Sequence, residues 1–270
     1  MSKIKMICLD IDGTLLNSRH QISKITKEVI KTVSNDKKIP VILVSARMPK
    51  GILFLQEELQ IKQSIICYSG ALILDESRDV LSKKIISVYD LEKLYKLVQC
   101  EKVHMSLYKD DEWYIEGMDY WAKQESDITN ITPNIVDFSE LIKLWKKERT
   151  GPNKILCMSE AGRINSLKEK IGDYDLNIYP SKPTYLEIMP KEASKTSAID
   201  VLRRKFNIKQ EEILAMGDNY NDMDMIEYAG LGIAMGNAPD KVKECANKIA
   251  LTNDEDGVAE AIREFVFGDD

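Results

Sequence analysis

Hydrophobic and polar positions alternate along the chain in two distinct rhythms. Toward both ends, short unbroken apolar runs are separated by stretches with helical spacing: KMICL ends at Asp10, PVILV ends at Ser45, and SIICY ends at Ser69. Between the first two, Ile22, Ile25, Val29 and Val33 recur at helical intervals. After residue 190 the pattern resumes with a helix around SAIDVLRRKF, then EILAMGD, a helix through MDMIEYA, GIAMGN, a helix through DKVKECA, KIALT, and a last helix opening at DEDG. Runs too short for helices and apolar throughout are what parallel strands buried on both faces require, so the ends of the chain predict a parallel sheet wrapped by helices.

The middle keeps a different rhythm. Segments such as HMSLYKDDEWYIE alternate residue by residue, and all three tryptophans (Trp113, Trp121, Trp145) with eight of the eleven tyrosines lie between residues 85 and 190. This composition predicts an antiparallel α+β unit inserted into the α/β domain, with boundaries at 1–84, 85–189 and 190–270. GPN at 151–153 reads as a turn inside the insert. A chain of 270 residues is long enough for two cores, which agrees with that division.

Composition narrows the functions available. A formal net charge of −6 supplies no basic footprint, which argues against nucleic acid. The N-terminal MSKIKMICLDIDG has too short an apolar run for a signal peptide, and no stretch approaches a membrane span, so the cytoplasm is the expected compartment. Five cysteines (Cys8, Cys67, Cys100, Cys157, Cys245), scattered and without a C-x-x-C pair, read as buried free thiols.

In open α/β sheets ligands bind beyond the carboxyl ends of the strands, so the residues that end the apolar runs are the candidates for chemistry. These are Asp10, Ser45, Ser69 and Asp218; Asp12 follows Asp10 by two, and Asn221, Asp222 and Asp224 follow Asp218 in GDNYNDMDM. If the strands adjoin, several carboxylates converge. Two of them about 4 Å apart repel by about 4 kcal/mol at an effective dielectric near 20, so they call for a cation. An all-oxygen donor set suits Mg²⁺. Each element alone also has a plain reading: Asp12-Gly13 as a turn, GDNYNDMDM as an acid-rich helix start, Ser45 as a turn residue, Lys195 as a solvated lysine, and His20 and His104 as structural or surface residues. GDNYNDMDM is a poor EF-hand, because the position that needs glycine is Met223.

Taken in order, DIDGTLL, GDNYNDMDMI, GIAMGNAPDKVKECA and NDEDGVAEAI resemble the phosphatases of the haloacid dehalogenase superfamily from end to end, specifically the Cof-like group with a type IIb cap. The resemblance implies a Rossmann-like parallel core with an inserted cap. It implies that Asp10 is nucleophile and Mg²⁺ ligand, that Asp12 is general acid/base with its backbone carbonyl on the metal, and that Asp218 is the second acidic ligand, supported by Asp222. Ser45 with Ala46, Lys195 and Asn221 then bind the transferred phosphoryl group. Where the family usually has Thr-Gly-Arg this chain has Ser45-Ala46-Arg47, where Asn-Gly-Ala is common it has Ser69-Gly70-Ala71, and Thr196 replaces a frequent glycine. The implied partner is a small phosphorylated metabolite, sugar phosphates foremost, with neither nucleic acid nor membrane. A phosphomutase would share the same pair of aspartates. A receiver-type signalling module would share the phosphorylated aspartate and the lysine but has no use for the insert.

Overall fold

The computed structural model describes residues 3–172 and 174–268. Two compact units emerge. Lys83–Ala193 forms one, and the segments before and after it together form the other.

The first part of the discontinuous unit runs β1 (Met6–Asp10), α1 (Lys24–Lys31), β2 (Val41–Val44), α2 (Lys50–Leu59), β3 (Ile65–Cys67), β4 (Leu72–Leu74) and β5 (Val80–Lys83). The insert follows with α3 (Val88–Glu101), β6 (His104–Lys109), β7 (Glu112–Ile115), α4 (Tyr120–Thr129), β8 (Asn134–Ile135), α5 (Phe138–Glu148), β9 (Lys154–Met158), α6 (Ala161–Lys170), β10 (Leu176–Lys182) and β11 (Tyr185–Pro190). The chain then returns with α7 (Lys195–Lys205), β12 (Ile213–Gly217), α8 (Met223–Tyr228), β13 (Leu231–Ala234), α9 (Asp240–Glu244), β14 (Lys248–Ile249) and α10 (Gly257–Ile262).

The strands of the discontinuous unit lie in the order β14-β13-β12-β1-β2-β3-β4-β5. β1 is central and pairs in parallel with β12 and β2. Its apolar run is buried at every position because both faces are covered. Met6 and Cys8 pack with Ile42, Val44, Ile213 and Ala215 against Ile199 and Leu202 of α7 and Met225 of α8, while Ile7 and Leu9 on the other face are equally inaccessible. The sheet is not parallel throughout: β4 runs antiparallel to β3, its first residue paired with the last of β3. An apolar run reports burial and not direction, and only the four residues between these two strands make the chain turn back.

Local departures from the pattern have similar causes. Helix α1 starts later than the apolar spacing predicts, because the side chain of Ser23 caps it by accepting from Thr26 N. Ile22 therefore precedes the helix, and Ile25 faces outward at 41% exposure while Thr26, Val29 and Ile30 turn inward. All five cysteines are free, but Cys100 is exposed and Cys245 half-buried; only Cys8, Cys67 and Cys157 are buried.

In the insert the strands order as β10-β11-β9-β6-β7-β8, antiparallel except for β7 with β8. Alternation does what it predicts here. Met105, Leu107, Ile155, Cys157, Leu186 and Ile188 form one face and join Leu94, Phe138, Ile142, Trp145 and Leu167 in a single core. GPN is more than a turn: buried Asn153 donates to the carbonyl of Lys84 and accepts from Asp110 N, tying three segments of the insert together. His104 is the structural histidine expected, bonded to Asp119 and Ser106. Among the described residues no helix is long and apolar enough to cross a membrane.

Candidate active site

The carboxyl end of β1 carries Asp10, only 7% exposed. Three residues on, Gly13 adopts a φ of 84°, and a Cβ there would fall 2.3 Å from a carboxylate oxygen of Asp218. Only glycine meets both conditions, so the turn that follows the nucleophile candidate can lie directly against the end of β12. Thr14 Oγ1 then donates to Asp218 Oδ1 at 3.0 Å, and Asn237 Nδ2 donates to the carbonyl of Gly13 at 2.8 Å.

Asp222 is wholly buried one short turn beyond Asp218. One oxygen accepts the backbone N–H groups of Asp218 (3.1 Å) and Asn219 (3.0 Å), and the other accepts from Lys195 Nζ at 2.5 Å. Gly217 permits this closure, because a Cβ there would sit 2.4 Å from that of Asp222. Lys195 opens α7, whose N-cap Ser194 accepts from Ser197 N, and at 1% exposure it also donates to Asp10 Oδ1 at 2.5 Å.

The segment after β3 fixes where α7 begins. Tyr68 and Ser69 both have φ near 50°, and Gly70 has φ of 100°. A Cβ on Gly70 would lie 2.1 Å from the carbonyl oxygen of Ser194, so the backbones touch here. A non-glycine residue at such a φ is strained unless its surroundings hold it, and asparagine tolerates it best. This is a physical reason for asparagine to be common where this chain has Ser69. Ser69 N donates to the carbonyl of Ser45 and Ser45 N to that of Ile66, so the end of β2 and the start of α7 are braced by one loop. Ser45 is buried, and its Oγ accepts from Arg47 N at 3.2 Å.

The structure thus unites Asp10, Lys195, Asp218 and Asp222. The carboxylates of the three aspartates each place an oxygen within 4.8 Å of the others. Asp12 is not in that group: its carboxylate, 52% exposed, accepts from Nε and Nη2 of Arg47 at 2.8 and 2.5 Å. Ser45 and Ala46 lie at the end of β2 beside the 68–70 loop, and Asn221 in the short turn before α8. Sequence reasoning missed three participants: Arg47, Thr14 and Asn237. Thr14 and Asn237 stood inside the quoted motifs DIDGTLL and GIAMGN, but a motif does not say which carboxylate or carbonyl its polar residues will meet.

The electrostatics are unbalanced. Burial and then the neighbouring Asp222 push Asp10 well above the usual carboxylate range, against the pull of Lys195. Burial, followed by Asp222, raises Asp218 to about 6. Burial disfavours the Lys195 ammonium too, but the two carboxylates more than offset it and hold the lysine above its ordinary range. Three carboxylates facing one ammonium leave two negative charges, the charge a divalent cation cancels. The donors are hard oxygens, and Asp222, already committed to Lys195 and two backbone amides, serves to set the other two. The residues fit such an ion.

Known proteins resemble this chain along nearly its whole length. The family model of haloacid dehalogenase-like hydrolases matches residues 7–262. The chain is 35% identical to a putative phosphatase of Haemophilus influenzae, over 96% of this chain and 97% of the relative. It is 30% identical to a 5-amino-6-(5-phospho-D-ribitylamino)uracil phosphatase of Bacillus subtilis, over 97% and 96%. A crystal structure of a haloacid dehalogenase-like hydrolase from Bacteroides thetaiotaomicron superposes with a TM-score of 0.88 at 32% identity, covering 97% of this chain and 99% of that one. An acidic cluster at the end of a central parallel strand, an inserted second unit and a match along nearly the whole length have one common explanation: this chain is an enzyme and belongs to the haloacid dehalogenase-like hydrolase family.

Proposed function

We propose that this protein is a Mg²⁺-dependent phosphatase that hydrolyses small phosphate monoesters, sugar phosphates or polyol phosphates foremost, through an aspartyl-phosphate on Asp10. The observation that carries the reading is the buried Lys195 ammonium shared by Asp10 and Asp222. It holds a carboxylate at the end of β1 in one orientation with a cation beside it, as a nucleophile approaching a phosphate dianion requires.

In the first half-reaction an oxygen of Asp10 forms a bond to phosphorus while the ester oxygen leaves with its electron pair, and Asp12 gives that alkoxide a proton. In the second, Asp12 takes a proton from water, whose oxygen attacks phosphorus and releases phosphate from Asp10. Asp10 and Asp218, with the backbone carbonyl of Asp12, would hold a Mg²⁺ ion, which would neutralise charge on the phosphoryl oxygens. Ser45 Oγ, the Ala46 backbone, Lys195 and Asn221 bind the transferred group, and Asp222 keeps Asp218 and Lys195 in place. Selection of the leaving group is assigned to the insert. The ribityl phosphate named for the Bacillus subtilis relative supports a hydroxyl-rich leaving group.

Asp12→Asn separates the two halves. A sugar phosphate leaves as a strongly basic alkoxide and needs the proton, whereas nitrophenyl phosphate does not. The variant is expected to release about one equivalent of nitrophenol rapidly and then stall, with losses of roughly 10² to 10⁴ in the slow steps. Equal slowing of both esters without a burst would remove the acid/base role from Asp12. Failure of the wild type to release phosphate from any of a panel of sugar and polyol phosphates with Mg²⁺ would overturn the substrate class.

A further inference from the structure

The Arg47 side chain has so far entered only as the partner of Asp12, yet its setting is unusually fixed for a side chain that is 28% exposed. Its backbone N–H donates to Ser45 Oγ at 3.2 Å, and its carbonyl accepts from Tyr68 N at 3.1 Å. Its Nη1 donates to the carbonyl of Gly51 in the first turn of α2 at 3.2 Å. Residue 51 is a glycine against which the stem packs: a Cβ there would lie 3.4 Å from Cβ and 3.6 Å from Cδ of Arg47. None of these four contacts involves Asp12. Together they aim the remaining edge of the guanidinium, Nε and Nη2, at both oxygens of the Asp12 carboxylate.

A planar fork meeting a carboxylate with two parallel bonds fixes direction as well as distance. Stability is a poor account of the pair, since ion pairs this open to solvent contribute little. Orientation is a better one. A general acid/base must come within hydrogen-bond reach of the atom it serves, and an exposed aspartate free to change rotamer spends much of its time elsewhere. Resting on the reading of Asp12 given above, we propose that Arg47 is a positioning residue for the reaction: it sets the direction of the Asp12 carboxylate from a site anchored on α2 and the 68–70 loop. One oxygen can turn to the reacting atoms while the other stays on the fork.

A double-mutant cycle over Arg47 and Asp12 tests this, with kcat and KM measured separately for a sugar phosphate and for nitrophenyl phosphate. Arg47→Ala is expected to lower kcat for the sugar phosphate by about 10- to 10²-fold with KM little changed. The nitrophenol burst should be affected much less, since that leaving group needs no proton. Arg47→Lys, which keeps the charge but offers no fork, should recover part of the loss. In the Asp12→Asn background, Arg47→Ala should add nothing. Arg47→Met preserves the stem packed on Gly51 and replaces the alanine variant if thermal melts find the latter unfolded. A loss that is additive in the double mutant, or a rise in KM that persists there, would overturn the proposal and make Arg47 a direct phosphate contact. Unchanged kcat in Arg47→Ala would overturn it as well. Wild-type turnover by Asp12→Asn would remove the reading of Asp12 itself and the inference with it, whereas a large Asp12→Asn loss with additive Arg47 effects leaves that reading intact and overturns the inference alone.

Discussion

Each of the two units buries one lysine among the described residues, and the two are partnered differently. In the insert, Lys154 at the start of β9 pairs with Glu187 of β11 at 2.8 Å, with Nζ 5.8 Å from the centre of the Tyr108 ring. That ion pair sets one positive charge against one negative charge on a sheet face. In the discontinuous unit, Lys195 faces Asp10 and Asp222, with Asp218 close behind, and a negative excess remains. Burying a lysine is therefore not in itself a sign of chemistry. What distinguishes the second case is that folding has gathered like charges it does not neutralise, which is how pKa values are displaced at sites built to receive a further ion or a substrate.

The comparison is broken most forcefully by removing the ammonium from the unbalanced cluster. Lys195→Met leaves buried carboxylates without the cation they share, and a buried ion pair that loses one member costs about 3–5 kcal/mol. The midpoint of urea unfolding should fall accordingly in the presence of chelator. Turnover of both a sugar phosphate and nitrophenyl phosphate should be lost together, because Lys195 serves formation of the aspartyl-phosphate and not the leaving group. Survival of the nitrophenol burst in a folded Lys195→Met variant would mean that Asp10 does not depend on Lys195.

A smaller effect, but one that sharpens the contrast, comes from supplying the missing charge. An ion that binds only the folded state stabilises it by about 2.7 kcal/mol at a hundred times its Kd. Mg²⁺ should raise the melting temperature of the wild type, and Asp218→Asn should abolish most of that gain while substitutions at Lys154 and Glu187 leave it intact. The same carboxyl sets a pH dependence. With its pKa raised to about 6 in the fold, Asp218 binds a proton that the unfolded chain, at the ordinary carboxylate value, has already released. In chelator, its contribution is therefore present at low pH and is lost as pH rises toward and through 6. Thermal melts of the metal-free wild type should show this loss between about pH 4 and 6, and Asp218→Asn should flatten it. Equal slopes for the two proteins would refute the assignment.

The same contrast explains what could be read in the sequence. Apolar runs at β1, β2, β12 and β13 were legible because strands buried on both faces tolerate nothing else, and Asp10 and Asp218 were legible because they end those runs. Lys195 was not legible from local pattern, since PKEASKTSAI reads as a solvated helix start; its burial arises from side chains 185 positions before it and 27 after it. The fork from Arg47 to Asp12 spans 35 positions and has no periodicity to betray it. The reversal of β4 against β3 was hidden for a related reason: apolarity carries no arrow. The joint at Asn153 was hidden behind a Gly-Pro pair that signals a turn and says nothing of what the next side chain will hold.

The smallest expected effect belongs to the balanced pair. Lys154→Met alone should destabilise the insert, because it leaves Glu187 buried without its counter-ion. Replacing both residues, Lys154→Met with Glu187→Met, removes the two desolvation penalties along with the attraction, and methionine follows the shape of either side chain. Buried ion pairs exchanged for apolar residues of similar volume are commonly neutral or stabilising, so the double variant should unfold within about 1 kcal/mol of the wild type in urea. No such repair should exist at Lys195. Lys195→Met combined with Asp222→Asn still leaves Asp10 and Asp218 facing each other with no ammonium between them. Recovery of wild-type stability by both double variants would erase the distinction between the two lysines. Recovery only at Lys154 and Glu187 would confirm that charge balance, and not burial, separates a structural lysine from one recruited to a site.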